Sequence, residues 1–519
     1  NPACIVDFTT EPITTKLRLV FTNTSVSAVR ELCIFPANGG TGYPLGQDVA
    51  GATPPSQSWE DYNDAFYQLF NRAANRSISI VSNNPSLSTT NEVAELSQYQ
   101  LLLNIGTDTY RLRNRSTGKC LAGSGLATNT GALLLDQDYS AMPHQNWRMV
   151  NIDGTDFYLV NDWSGLVVDT QGGATAAGTA LIQNTNTGAT SQRWRAVFQS
   201  RYPRKGMAGT LQSALNYKTG WGYNWGRTST ESAILSSNFV FCPMQWGDFN
   251  WDIGSNQGPL EQFLSEWHRE DKSVHVLGFN EPDGADQSNM TVDTVIDRWP
   301  RLERMDMPLG SPAVTNPTNS WMTDFKTKAD AAGYRIDVYA THKYPGPAGG
   351  DPTALINNLQ SANTAYGLPV WLTEFSTVDW AGTGTWTEED NYNWLAEFMW
   401  RAESLSWLRH YSLFLFTAST NFPVPASPSD PVGPRSNAFD TNGVPTSFGE
   451  LYFAWDCDAN VRGDKAYFIH NESERKRLRN AVSSSGPSHG NIREGTNTTQ
   501  WVLRAAPTAG QWYITSLRD

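Results

Sequence analysis

Leu-Gly-Phe-Asn-Glu-Pro-Asp at 277–283 and Val-Trp-Leu-Thr-Glu-Phe at 370–375 are built alike: a short apolar run that closes on a glutamate. Each run has the length and composition of a strand buried on both faces of a parallel sheet. Working outward, runs of this kind alternate with polar or amphipathic stretches throughout residues 203–456. They lie at Lys205 to Ala208, Gly220 to Trp225, Phe239 to Met244, Val274 to Phe279, Met307 to Ser311, Ile336 to Thr341, Pro369 to Thr373 and Tyr411 to Phe416. Eight such strands over about 250 residues are the pattern of an α/β fold, the (β/α)8 barrel. Reactive groups of that fold sit at the C-terminal strand ends, where the backbone holds them still.

Glu281 follows the fourth strand and Glu374 ends the seventh, so the two carboxylates are expected to face one another across the barrel mouth. A retaining glycosidase needs such a pair about 5 to 5.5 Å apart, one to protonate the leaving oxygen and one to attack the anomeric carbon. Operation near neutral pH then requires a raised Glu281 pKa, through burial and the neighbouring carboxylate. No metal or organic cofactor is required. Asn280, Trp246, His342 and Tyr344 each follow the last apolar residues of a strand, and Tyr223, Asn224 and Trp225 end the second. All are candidates for holding a sugar or orienting Glu374. Trp380 and Trp386, in a Gly/Thr loop just past Glu374, are candidates for a subsite wall, whereas Trp394, Trp400 and Trp407 have near-helical spacing and read as helix packing.

Upstream the sequence repeats itself. Tyr-Arg-Leu-Arg-Asn-Arg-Ser-Thr-Gly at 110–118, closing at Gln145-Asn-Trp147, recurs as Tyr-Leu-Val-Asn-Asp-Trp-Ser-Gly at 158–165, closing at Gln192-Arg-Trp194. Repeats made of short strands and Gly turns imply lobes that bury their apolar faces only together. Two lobes occupy residues 101–202. A third is expected at 457–519, where Ala466-Tyr-Phe-Ile-His-Asn precedes Gln500-Trp501; Gln98-Tyr99-Gln100 is the weaker choice. The first choice makes the catalytic domain an insertion and Cys120 with Cys457 a candidate disulfide. Residues 1–100 read as a small β-rich segment without assigned role, with Leu17, Leu19 and Phe21 alternating as in a strand. In the same segment Ser58, Trp59, Tyr62, Phe66 and Phe70 have the spacing of a capped helix.

Composition narrows the partners. Across 519 residues, 38 Lys and Arg against 51 Asp and Glu leave a net charge of −13, which repels nucleic acid and anionic bilayers. Only 17% of residues are charged but 12% are aromatic, with 20 Trp, suited to stacking on the faces of a neutral polysaccharide. No run approaches the roughly 18 apolar residues of a membrane helix. A first residue other than Met fits a processed, secreted chain, expected to be monomeric. Sequons stand at Asn23, Asn75, Asn114, Asn289, Asn471 and Asn497. Of five cysteines, Cys242 lies in an apolar strand and is expected to be a buried thiol, while Cys4 and Cys33 are a candidate pair.

Two resemblances sharpen this reading. The repeats resemble lobes of the ricin-type β-trefoil lectins, carbohydrate-binding module family 13, each of which ends in Gln-x-Trp. That resemblance implies a sugar site in the second lobe around Asp169, with Gln192 and with Asn184 in the platform position; Ala122 replaces the aspartate in the first lobe. From Lys205 to about Trp455 the chain resembles glycoside hydrolase family 128, the clan A barrels that cleave β-1,3-glucans. The matching segments include Trp221-Gly-Tyr-Asn-Trp225, Phe241-Cys-Pro-Met-Gln-Trp246-Gly, 277–283, Gly310-Ser-Pro-Ala313, Ile336 to Tyr344 and 371–375. The resemblance implies Glu281 as acid/base, Glu374 as nucleophile and Asn280 as contact to the sugar hydroxyl beside the reacting carbon. Lys343 stands where members commonly carry Trp, and Gly222 where Tyr is common. The expected function is a retaining β-1,3-glucanase. A different β-glycan such as galactan, or a non-catalytic lectin, are the alternatives.

Overall fold

The computed structural model describes residues 65–209, 219–229, 239–251, 275–415 and 436–454, apart from short gaps, and beyond these only strand segments between 4 and 37 and between 466 and 516. Ser58, Trp59, Tyr62 and the side chains of Cys4, Cys33 and Cys457 lie outside the described residues. Among the described residues no helix is long and apolar enough to cross a membrane.

The repeats form one sheet system with a third copy, and that copy is not the one expected. Ala466–Asn471 pairs with Leu32–Ala37 and with Gln500–Ala505, and Cys4–Asp7 pairs with Gln511–Ser516, in a sheet separate from the lobes. The strands that join the two clear lobes are Ala65–Asn71, Ile78–Val81, Asn84–Leu87 and Tyr99–Asn104. The expected helix through Phe66 and Phe70 is therefore a strand. Its alternating burial reflects every second side chain facing the core, which aromatic spacing alone does not distinguish from a helix.

The three copies obey one rule of register. Tyr99 pairs with Asn114, Trp147 with Asn161 and Trp194 with Asn71. The last pairing closes the set by joining the end of the second clear lobe to the start of the copy at 65–104. Each asparagine accepts two backbone N–H groups with its Oδ1: Asn71 from Ala73 and Ala74, Asn114 from Ser116 and Thr117, Asn161 from Trp163 and Ser164. Each donates its Nδ2 to a carbonyl, of Ser191, Leu96 and His144 respectively. These fully buried amides thus satisfy turn donors that would be costly to leave unpaired. Asn114 is fully buried in this role, which removes it from the glycan acceptors. Trp147 and Trp194 fill the core, and their indole N–H groups donate to Leu121 and Val168 at 2.8 and 3.0 Å. Gln145 and Gln192 bridge the preceding loop, to Asp138 and Ser140 and to Thr185 and Thr187. Gln-x-Trp is a device of the fold.

Downstream, six parallel strands run in the order Val240–Phe241, Trp221–Tyr223, Lys205–Ala208, Leu408–Phe414, Val370–Phe375, Tyr339–Lys343. The expected strands at 274–279 and 307–311 take part through single parallel bridges: Met244 with Leu277, Val276 with Leu309, Gly310 with Val338 and Val314 with Thr341. Helices Val292–Glu303, Ser320–Ala332, Thr353–Tyr366 and Glu388–Ser404 pack their apolar faces on the strands. Trp394 is buried in that layer and Trp400 packs against it from the same helix, as their spacing implies; Trp407 packs there too, but from the turn beyond the helix. Cys242 is fully buried. A separate apolar cluster joins the two halves: Phe66, Leu102 and Tyr202 pack with Ala208, Trp221, Met244, Leu277 and Trp371.

Candidate active site

The C-terminal strand ends open into a cleft of about 630 Å³ that both glutamates line. His342 and Glu374 are paired across adjacent parallel strands, which brings their side chains to one end of the sheet. Glu281 stands one residue beyond the parallel bridge between Asn280 and Ala313, with its N–H donating to the Ala313 carbonyl at 2.7 Å. Its φ of 40° lies in the left-handed region, a cost of about 1–3 kcal/mol that the surrounding hydrogen bonds must outweigh. The following Pro282-Asp283 turn is tied down: Asp283 accepts from Thr315 Oγ1 at 2.6 Å and from Asn319 Nδ2 at 2.7 Å.

Glu374 is buried and receives three donors. Tyr223 Oη and Trp225 Nε1 each donate to Oε1 at 2.7 Å, and Tyr344 Oη donates to Oε2 at 2.6 Å. Burial, and next the Glu374 charge, push both tyrosines well above the ordinary phenol value, so they remain donors at any working pH. His342 is fully buried, with Nδ1 2.7 Å from Glu281 Oε1 and 3.4 Å from Glu374 Oε2. Burial disfavours its charged form, but the Glu374 and Glu281 carboxylates together outweigh burial and raise its pKa above 6.5. One donor atom from each of Glu281, His342 and Glu374 lies within 4.8 Å of the others. Such a triangle could hold a metal ion, but Glu374 has both oxygens engaged by N–H and O–H donors, which compete for the lone pairs an ion needs. The set is better suited to proton transfer and nucleophilic attack.

The expected residues separate into four groups. Trp225, Trp246, Asn280, Tyr344 and Trp380 line the cleft together with Glu281 and Glu374. Tyr223 and His342 sit behind it and hold the glutamates. Asn224 and Trp386 do neither: Asn224 Oδ1 accepts from Gly226 N within its own loop, and the Trp386 ring lies against Gly346. Asp169, Asn184 and Gln192 belong to the trefoil lobes, where Asp169 is buried and its Oδ2 accepts from the other two at 3.1 and 3.0 Å. Four further lining residues, Gln287, Thr315, Lys343 and Phe414, were not among the expected site residues. Thr315 follows the end of an apolar run as the others do; Phe414 lay inside the expected run Tyr411 to Phe416 and ends the observed strand, and Gln287 carries no such signal.

The parallel α/β sheet with its two facing carboxylates and the three-copy β domain joined to it each match a described family. The family described as glycosyl hydrolase catalytic core matches residues 202–452, and the ricin-type beta-trefoil lectin domain-like family matches 96–184 and 143–205. Among individual relatives, the alkali-sensitive linkage protein 1 of Schizosaccharomyces pombe is 29% identical over 180 residues, which are 33% of this chain and 30% of that protein. The chain therefore matches less than a third of that relative's length. A family 128 subgroup I endo-β-1,3-glucanase from Amycolatopsis mediterranei, solved with laminaritriose, is 26% identical over 48% of this chain and 98% of its own, with a TM-score of 0.37. A subgroup II endo-β-1,3-glucanase from Sorangium cellulosum is 21% identical over 49% and 99%, with a TM-score of 0.40.

Proposed function

We propose that the chain is a retaining glycosidase acting on β-1,3-glucan, with Glu374 as nucleophile and Glu281 as acid/base. The observation that carries this reading is the carboxylate pair itself, with oxygens within 4.8 Å and His342 between them. An inverting enzyme needs about 6.5–9.5 Å to fit a water between its carboxyl groups, so the short separation favours double displacement. Glu374, held by Tyr223, Trp225 and Tyr344, attacks the anomeric carbon as Glu281 protonates the departing sugar oxygen. A water deprotonated by Glu281 then releases the glycosyl ester with net retention. Trp225, Trp246 and Trp380 supply the flat apolar faces a pyranose stacks on.

In this reading the parallel segments form a closed (β/α)8 barrel. The bridges from Met244 to Leu277, Val276 to Leu309 and Gly310 to Val338 lead from one edge of the six-stranded sheet round to the other. The β-1,3 linkage is supported by the segments that resemble family 128, and the trefoil's part is to keep polysaccharide near the cleft. A polymer substrate of this kind fits a secreted protein.

The test is sugar release from β-1,3-glucans and β-galactans by the wild type, Glu281→Gln and Glu374→Gln, with and without a chelator. We expect release from β-1,3-glucan that a chelator leaves unchanged and that both variants lose by several orders of magnitude. Cleavage of galactan alone would retain the mechanism and overturn the substrate. Glycan binding with no cleavage would make the protein a lectin.

A further inference from the structure

Among the described residues that line the cleft, Lys343 is the one cation. It projects from the end of Tyr339–Lys343, between the two residues that serve the glutamates: His342 reaches Glu281 and Tyr344 reaches Glu374. The Lys343 ammonium reaches a neutral amide, Asn316 Oδ1, at 3.3 Å, and forms no ion pair with any described carboxylate. Asp283, which braces the adjoining Thr315, is taken up by Thr315 and Asn319. Burial disfavours the charged amine and lowers its pKa from the ordinary lysine value. A half-buried cation without a counter-ion is poorly stabilised until a ligand brings negative charge to it.

We propose that Lys343 is a specificity-determining residue that receives an acidic substituent, a carboxylate or a sulfate ester, on the sugar bound beside Glu281 and Glu374. The inference rests on the cleft being a glycosidase site. The overall charge of −13 opposes a polymer that is acidic throughout. The substrate class is therefore a mainly neutral β-glycan with occasional acidic decoration. An apolar indole at this position would stack on any sugar face; the amine instead distinguishes charged from uncharged ones, because an ion pair forms with one and not with the other.

The test compares neutral, uronate-bearing and sulfated oligosaccharides of the cleaved linkage, using wild type, Lys343→Met and Lys343→Arg. We expect wild-type kcat/KM for one acidic series to exceed that for the neutral series by about tenfold or more at low salt, and the excess to shrink as salt rises. Which acidic series shows it identifies the group. In Lys343→Met the ratio falls towards one through a higher KM for the acidic sugars, and Lys343→Arg restores it. Equal or better cleavage of the neutral series, or an unchanged ratio in Lys343→Met, overturns the proposal while leaving the glycosidase reading intact. Dissociation constants of the same sugars for Glu374→Gln, with and without Lys343→Met, decide the role of Lys343 independently of turnover. If no oligosaccharide is cleaved, the glycosidase reading falls; a Lys343-dependent preference in binding still upholds the acidic ligand.

Discussion

Glu374 has two tyrosine hydroxyls and an indole N–H directed at its carboxylate, an arrangement that fixes the orientation of the group. Tyr344→Phe keeps the ring and removes one donor. Hydrogen bonds to charged groups are worth about 1.5–3 kcal/mol, so we expect a kcat roughly ten- to a hundredfold lower with KM nearly unmoved, measured by steady-state kinetics. His342 gives a prediction for pH. Its folded pKa is raised above 6.5, so its stabilising contribution is fully present below 6.5 and is lost as pH rises through the folded value. Melting temperatures of wild type and His342→Gln across pH should therefore differ most on the acid side and converge on the alkaline side; a gap constant in pH would contradict the charged imidazole. Both glutamates were legible in the sequence because each ends an apolar run, where a carboxylate is costly unless it has a task. Phe414 was not, since an aromatic residue at the end of Leu408–Phe414 reads the same whether it faces core or cleft.

At the scale of elements, the copy at 65–104 shows why a repeat can be missed. Its closing triplet is Ser97-Gln98-Tyr99 in place of Gln-x-Trp, yet buried Tyr99 pairs with Asn114 as the tryptophans pair with Asn161 and Asn71. The better signal was the strand that opens each lobe, Tyr67-Gln-Leu-Phe-Asn71, Tyr110-Arg-Leu-Arg-Asn114 and Phe157-Tyr-Leu-Val-Asn161, whose asparagine is required by its turn. The strand at 466–471 carries the same pattern, Tyr467-Phe-Ile-His-Asn471, so that signal finds lobe-like strands without saying which of them pair with the two clear lobes. In the parallel sheet, Gly206 is required by the Trp221 indole, since a Cβ there would overlap the ring. Trp221 in turn stacks on Tyr223, which holds Glu374. Gly206→Ala should cost about 1–3 kcal/mol through overpacking, read as a lower melting temperature, and should also reduce turnover through the displaced Tyr223.

For the whole molecule, the two halves are one packed body: Phe66, Leu102 and Tyr202 share a core with Trp221 and Trp371. This docking was not legible, because nothing in a local pattern says which apolar residue of a lobe faces a neighbour. The order of the six parallel strands was legible from the alternation of runs, whereas the runs around Leu277 and Leu309 contribute only single bridges. The central claim is that the carboxylate pair works by double displacement, and the anomeric configuration of the first product tests it most directly. Proton magnetic resonance during the first minutes of hydrolysis, before mutarotation, should show the β-anomer appearing first. Initial release of the α-anomer would mean single displacement, and would contradict the roles assigned to Glu281 and Glu374.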